Sequence, residues 1–121
     1  MQKDTKHSPD ELTFTLLREA NATRAKIYPS EVKQDAMFFG LALAGEVGEL
    51  CNLIKKQYRD GVNKRSEIAD EIADVLIYLD LLAARYDIDI AKATTSKFNH
   101  VSDRLGLNVH IKEGKVHAKG Y

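Results

Sequence analysis

An all-α fold, a bundle of four to five helices around a central antiparallel helix hairpin, is predicted by three features of the sequence. Both prolines lie at positions 9 and 29, so the strongest helix breaker is absent from everything after the first quarter of the chain. Apolar residues recur at spacings of three and four along successive segments, the period of a helix with one buried face. Caps and turn residues punctuate those segments where helices should start and stop.

Ser8-Pro9-Asp10-Glu11 has the form of a capping box, with Ser at the N-cap, Pro at N1 and Glu at N3. It predicts a first helix over 9–26 with Leu12, Leu16, Leu17 and Ala20 on its apolar face. Tyr28-Pro29-Ser30 breaks the pattern, and Ser30 as a cap opens a second helix over 31–58. Met37, Leu41, Ala44, Val47, Cys51 and Ile54 mark its expected buried stripe. Arg59-Asp60-Gly61-Val62-Asn63 is the clearest turn signal, after which Ser66 would cap a third helix reaching Arg85 or Tyr86. Asp87-Ile88-Asp89 separates it from a fourth over 90–105, closed by Gly106 at C′. Past that point the helical period ends. Val109 to Val116 fits either a small hairpin about Glu113-Gly114 or an irregular tail, so the expected organisation is one domain over 1–106 followed by a C-terminal tail over 107–121.

Composition narrows the classes of function. A chain of 121 residues suits one core, and 18 basic against 18 acidic residues leave no excess charge for a nucleic-acid backbone. Apolar residues at 44% are enough for a folded chain. Met1 to Ser8 lacks an apolar targeting segment, and Glu46, Asp74 and Asp80 interrupt the most apolar stretches, so no membrane span is expected. Cys51 is alone, which excludes an internal disulfide and fits a reducing, cytoplasmic setting.

The candidate chemistry is carried by acidic residues on the two central helices. Glu46 and Glu49 form an E-x-x-E pair, and Glu71 and Asp74 an E-x-x-D pair. A spacing of three puts two carboxylates on one helix face, where they can grip one cation. Spacing alone is weak, because Glu67 and Asp70 make another such pair in an acid-rich chain. Position is more telling: Glu46 and Glu49 follow the apolar run Phe38 to Gly45, Asp74 precedes Val75 to Leu79, and unpaired charge in such surroundings is costly. A hairpin folded about Asp60 would set the two pairs at the same height. Four converging carboxylates suit Mg²⁺ or Mn²⁺ rather than zinc, whereas the plainer alternative is a set of solvated helix charges. Other sites fall away. A di-iron bundle needs Glu-x-x-His, and no His lies between positions 8 and 99. Cys51 has no local base and follows the apolar stripe, no Gly-rich phosphate loop is present, and His7, His100, His110 and His117 show no metal-ligand spacing.

Leu41 to Leu50, with Ala44-Gly45-Glu46-Val47-Gly48-Glu49, and Asp70-Glu71-Ile72-Ala73-Asp74-Val75 strongly resemble the MazG-like nucleotide pyrophosphohydrolases of the all-α NTP pyrophosphatase superfamily. Similarity continues through Leu17 to Arg24 and Lys97 to Arg104, covering residues 12 to 106. Where relatives often carry a Trp, this chain has Ile27-Tyr28. The resemblance implies a MazG-like bundle and magnesium-dependent hydrolysis of a nucleoside triphosphate, deoxynucleoside triphosphates first among them, to monophosphate and pyrophosphate. Mn²⁺ is a possible substitute, and the implied role is nucleotide-pool control. Carried over residue by residue, Glu46, Glu49, Glu71 and Asp74 would hold the metal, with Glu49 also orienting the attacking water, and Glu67 would be at most an outer acceptor. Lys97, Asn99 and Arg104 match the phosphate- and sugar-contacting stretch, Asn21 and Arg24 a segment near the nucleotide, and Lys55 and Lys56 would meet the triphosphate tail. Two alternatives stand beside this: a non-catalytic metal- or nucleotide-binding helical module, and an activity like phosphoribosyl-ATP pyrophosphatase.

Helix three bears on assembly. From Ile72 to Ala84 only Asp74 and Asp80 are charged, while Val75, Leu76, Ile77, Leu79, Leu81 and Leu82 point nearly all round the axis. A helix apolar on every side must be covered on every side, which predicts a homodimer, or a tetramer built from it, with the hairpins packed as a four-helix core.

Overall fold

The computed structural model describes residues 2–4, 8–29 and 33–120. Their elements are β1 (Gln2–Asp4), α1 (Phe14–Ala25), α2 (Ala36–Asp60), α3 (Arg65–Arg85), α4 (Ile90–Leu105), β2 (Val109–Lys112) and β3 (Lys115–Ala118). The chain is all-α in class, with one small sheet added. Two compact units divide it: Thr15–Ile88, which holds α2, α3 and nearly all of α1, and Met1–Phe14 with Asp89–Tyr121, which holds α4 and the strands.

In the first unit α2 and α3 form the expected antiparallel hairpin, but its ends are set by residues other than those expected. Ser30 lies outside the described residues; the observed N-cap of α2 is Asp35, whose carboxylate accepts from the Phe38 N–H at 2.8 Å. At the other end α2 continues through Asp60, and Gly61 takes the left-handed conformation at φ 67, its N–H bonded to the Gln57 carbonyl. That reversal lets α3 begin at Arg65, so Ser66 is a helical residue and not the cap. Gln57 Oε1 accepts from the Lys64 N–H and Asn63 Oδ1 from the Arg65 N–H, so two side chains from outside the helix satisfy free donors at its start. Asp87, at φ 55, ends the turn after α3, with the Ile88 N–H reaching the Ala83 carbonyl.

The first helix is shorter than expected. Ser8 Oγ accepts from the Asp10 N–H, and the Glu11 N–H bonds the Ser8 carbonyl, which closes a single turn and leaves the helix to begin at Phe14. Its buried positions are Leu17 and Asn21; Leu12, Leu16 and Ala20 are exposed. The face is selected by a polar clasp. Asp80 of α3, 1% exposed, accepts from Arg18 Nε and from Asn21 Nδ2, both at 2.9 Å, while Arg18 Nη2 donates to the Ile88 carbonyl at 2.8 Å. The side of α3 opposite Glu71, expected to need a partner, is thus covered by α1 of the same chain.

On α2 the expected stripe is turned outward. Met37 is 75% exposed and Leu41 70%, and Ala44, Val47, Cys51 and Ile54 are exposed with them. Phe39 is buried, and Leu43, Glu46, Leu50, Leu53 and Gln57 are half-buried, so the inner face of α2 is rotated from the one the hydropathy favours. By length and composition α2 is also apolar enough to cross a membrane, contrary to the expectation that Glu46 would break the run well short of a span. Among the described residues only Leu17, Phe39 and Ala83 are buried hydrophobics.

In the second unit α4 runs from Ile90 to Leu105 with the expected close at Gly106, φ 68, and Asp89 caps its start by accepting from the Lys92 N–H. Of the two possibilities for the C-terminal segment, the hairpin is realised. Glu113 and Gly114, at φ 54 and φ 68, make the two-residue turn, and β3 lies centrally in a three-stranded antiparallel sheet of order β1-β3-β2. The added strand β1 had no sequence signal. Val109, Ile111, Val116 and Ala118 alternate with His110, Lys112, Lys115 and His117, which gives the hairpin an apolar and a polar face. Asn99 of α4 fastens β2: its Nδ2 donates to the Ile111 carbonyl and its Oδ1 accepts from the Ile111 N–H, both at 2.8 Å.

The clasp predicts an asymmetry. Arg18→Met leaves the Asp80 carboxylate buried with only Asn21 and should cost about 3 kcal/mol, whereas Asp80→Asn leaves a partly exposed Arg18 able to rehydrate and should cost about 1–2 kcal/mol. Urea denaturation of the two variants checks the order.

Candidate functional site

The site grows from the inner faces of the hairpin. α2 and α3 lie side by side, and their inward rows bring one carboxylate oxygen each of Glu46, Glu49 and Glu71 within 4.8 Å of one another. Glu46 and Glu71 are half-buried and Glu49 is exposed. At Gly40, Gly45 and Gly48 no described residue beyond the adjoining stretch of α2 comes within 4 Å of where a Cβ would stand, so no described neighbouring side chain demands the space.

Electrostatically the trio is strained. Glu46 Oε2 and Glu71 Oε2 are closed to solvent with no hydrogen-bond partner. Both are acceptors, so neither can satisfy the other unless one carries a proton. The Glu71 carboxyl is accordingly pushed up from 4.5 to about 7, first by the Glu46 carboxylate at hydrogen-bonding range, then by loss of hydration, then by the charges of Glu46 and Glu49. Two orphaned acceptor oxygens beside a third carboxylate are what a divalent cation would satisfy, and an all-oxygen donor set fits a hard ion. The residues present therefore fit a metal.

The sequence match to known proteins bears on this geometry directly. The MazG nucleotide pyrophosphohydrolase domain matches residues 35–105, from the cap of α2 to the last residue of α4. The chain belongs to the MazG nucleotide pyrophosphohydrolase family. Among curated proteins it is similar to dCTP pyrophosphatase 1 of Rattus norvegicus, 40% identical over 83 residues that make up 63% of this chain and 48% of the relative. The Mus musculus protein of that name matches to the same extent. Gene 37 protein of Mycobacterium phage L5 is 30% identical over 97 residues, 73% of this chain and 85% of the relative. The chain spans about half the length of the dCTP pyrophosphatases it matches.

The other residues singled out in this MazG chain are distributed unevenly. Asp74 is exposed on α3 and lies outside the close group that Glu46, Glu49 and Glu71 form. Asn21 is buried, its amide nitrogen donating to Asp80 and, at 3.4 Å, to the Ile77 carbonyl, so it is a fastening of α1. Asn99 is spent on the Ile111 peptide. Arg24 is exposed near the end of α1, and Lys55 and Lys56 are exposed on α2. Lys97 and Arg104 are exposed on α4, in the unit that does not contain the glutamates. Glu67 is paired with Lys64 at 3.3 Å and does not join the trio. The clasp residue Arg18 was missed, although its i,i+3 spacing from Asn21, opposite a charge in an apolar helix, was the available signal.

The raised Glu71 group has a pH signature in metal-free protein. Between about 4.5 and about 7 the unfolded chain gives up a proton that folded Glu71 keeps, so stability falls as pH rises through that window and levels above it. Thermal melting of Glu71→Gln should lack this component, and the variant should melt at or above the parent temperature at neutral pH. A large loss of stability would instead mean that Glu71 has a cationic partner.

Proposed function

We propose that this protein hydrolyses a nucleoside triphosphate between the α- and β-phosphates, releasing monophosphate and pyrophosphate, with Mg²⁺ or Mn²⁺ as cofactor. The observation that carries the proposal is the trio of Glu46, Glu49 and Glu71, with two of its oxygens orphaned, in a MazG domain. When bound, the cation would neutralise charge developing on the phosphate oxygens. Glu46 and Glu71 would hold it from the half-buried side. Glu49, the exposed member, is available to orient the attacking water, and Asp74, one turn along α3, would join as the remaining carboxylate. Lys55 and Lys56 are the cations of α2 we assign to the triphosphate tail and Arg24 to the nucleotide, Lys97 and Arg104 are assigned to phosphate and sugar by the family resemblance alone, and Asn21 and Asn99 act by holding the scaffold. The relatives named dCTP pyrophosphatase 1 support a deoxynucleoside triphosphate as substrate, in a nucleotide-pool role.

We also propose that the working unit is a homodimer, or a tetramer built from it, in the cytoplasm. The open stripe of α2 includes Met37, Leu41 and a Tyr58 that is 94% exposed, and on α3 Ile72 and Leu79 are exposed as well. Apolar area on that scale is rarely left to water.

Pyrophosphate release from a panel of ribo- and deoxynucleoside triphosphates is the test. Activity should require Mg²⁺ or Mn²⁺ and be abolished by excess EDTA. Orthophosphate as the sole first product, or full activity in EDTA, sinks the proposal. Glu49→Gln and Glu71→Gln should each lower turnover by at least about 100-fold, since loss of even an outer partner of a metal ligand costs up to that much. For assembly, light scattering at low micromolar concentration should give a dimer or tetramer, and Leu41→Glu or Leu79→Glu should dissociate or precipitate it. A folded, active monomer of 13.6 kDa overturns that part.

A further inference from the structure

We propose that His110 and His117 form a second cation site, a two-imidazole chelate for a borderline divalent ion of the Zn²⁺, Ni²⁺ or Cu²⁺ class, on the polar face of the C-terminal hairpin. The linear sequence hides it, because seven residues separate the two histidines. The turn at Glu113 and Gly114 folds that interval in half, and His110 and His117 become direct cross-strand partners. Residues directly opposite in an antiparallel pair project from the same face with their Cβ atoms about 5 Å apart, within reach of one ion.

The hydrogen bonds orient both rings. His110 Nε2 lies 2.7 Å from Asp103 Oδ1, and His117 Nε2 lies 3.3 Å from the Lys112 carbonyl oxygen. Each partner is an acceptor only, so each ring carries its hydrogen on Nε2 and presents the Nδ1 lone pair. Neither Nδ1 has a hydrogen-bond partner among the described residues. A ring nitrogen tied to a carboxylate or a backbone carbonyl, with the other left free, is how metal-binding histidines are usually held. Both rings are half-buried, which limits the motion that binding would have to arrest.

Donor chemistry separates this site from the glutamates. Imidazole nitrogen selects zinc, nickel or copper, whereas the oxygen-only trio suits Mg²⁺ or Mn²⁺. Lys112 and Lys115 stand on the same face two pairs nearer the turn, and the Asp103 carboxylate at His110 offsets part of their charge. With two protein nitrogens as ligands, water fills the remaining positions, leaving the ion open to a further ligand.

The experiment uses untagged full-length protein carrying Glu49→Gln and Glu71→Gln, so that the trio does not compete. Zn²⁺ should shift the imidazole resonances of His110 and His117 and leave those of His100 in place, and EDTA should reverse the change. By calorimetry, His110→Asn and His117→Asn should each weaken Zn²⁺ binding at least tenfold, while His100→Asn should not. If His110→Asn disturbs the hairpin through loss of Asp103, His117→Asn decides alone. Unchanged Zn²⁺ affinity in His117→Asn, or equal ring shifts on adding Mg²⁺, overturns the proposal.

Discussion

Repulsion between Glu46 and Glu71 is the constraint around which the helical hairpin is organised. Each holds a carboxylate oxygen away from water with no donor opposite it, and Glu49 adds a third like charge to the group. In a medium less polarisable than water, that arrangement favours keeping a proton, as the raised Glu71 group shows. The apolar helices supply what holds it in place: Phe39 is buried on α2, and Phe39 and Tyr78 meet across the hairpin with ring centroids 6.5 Å apart. A cation would turn the repulsion into attraction without moving either helix. Binding strength and fold stability at this site are therefore two sides of one charge balance.

The opposite side of α3 solves the same kind of problem internally. Among the described residues Asp80 is the most buried charge, and its two partners on α1 answer both of its oxygens. One helix thus carries acidic residues handled in two ways, one side by a guanidinium and an amide supplied in the chain, the other left without a donor. That difference separates structural from functional charge more sharply than burial does. It also explains why α1 turns Asn21 inward beside Leu17 while Phe14 and Leu16 stay exposed: an unpaired Asp80 would cost more than the exposed Leu16.

The outward stripe of α2 follows from the inward position of the glutamates. The hydropathy pattern places Met37, Leu41, Val47 and Ile54 on one face, and Glu46 on another. Facing Glu46 toward Glu71 forces the most apolar face away from the hairpin, where it remains open in the single chain. A second copy packed there, as proposed above, would cover it. The family, in turn, gives the trio its chemical meaning: a MazG nucleotide pyrophosphohydrolase domain spanning 35–105 contains both helices of the site and α4.

Much of this was legible in the residues themselves. The all-α class, the hairpin of α2 and α3, the limits of α4 and its Gly106 close are local matters, set by period, proline absence and a left-handed residue that only a few side chains tolerate. The acidic pairs were legible too, because spacing along a helix fixes which carboxylates share a face. What sequence did not decide was which face of each helix turns inward. Ser30 and Asp35 are both acceptable caps on paper, and the stripe of α2 was assigned by hydrophobicity alone. Choosing among faces depends on partners distant in the chain: Asp80 for Arg18 and Asn21, Glu71 for Glu46 and Glu49, Ile111 for Asn99, His117 for His110. Local periodicity sees one helix or strand at a time, and the cost of an unmatched charge or an orphaned hydrogen bond is known only when the second element arrives.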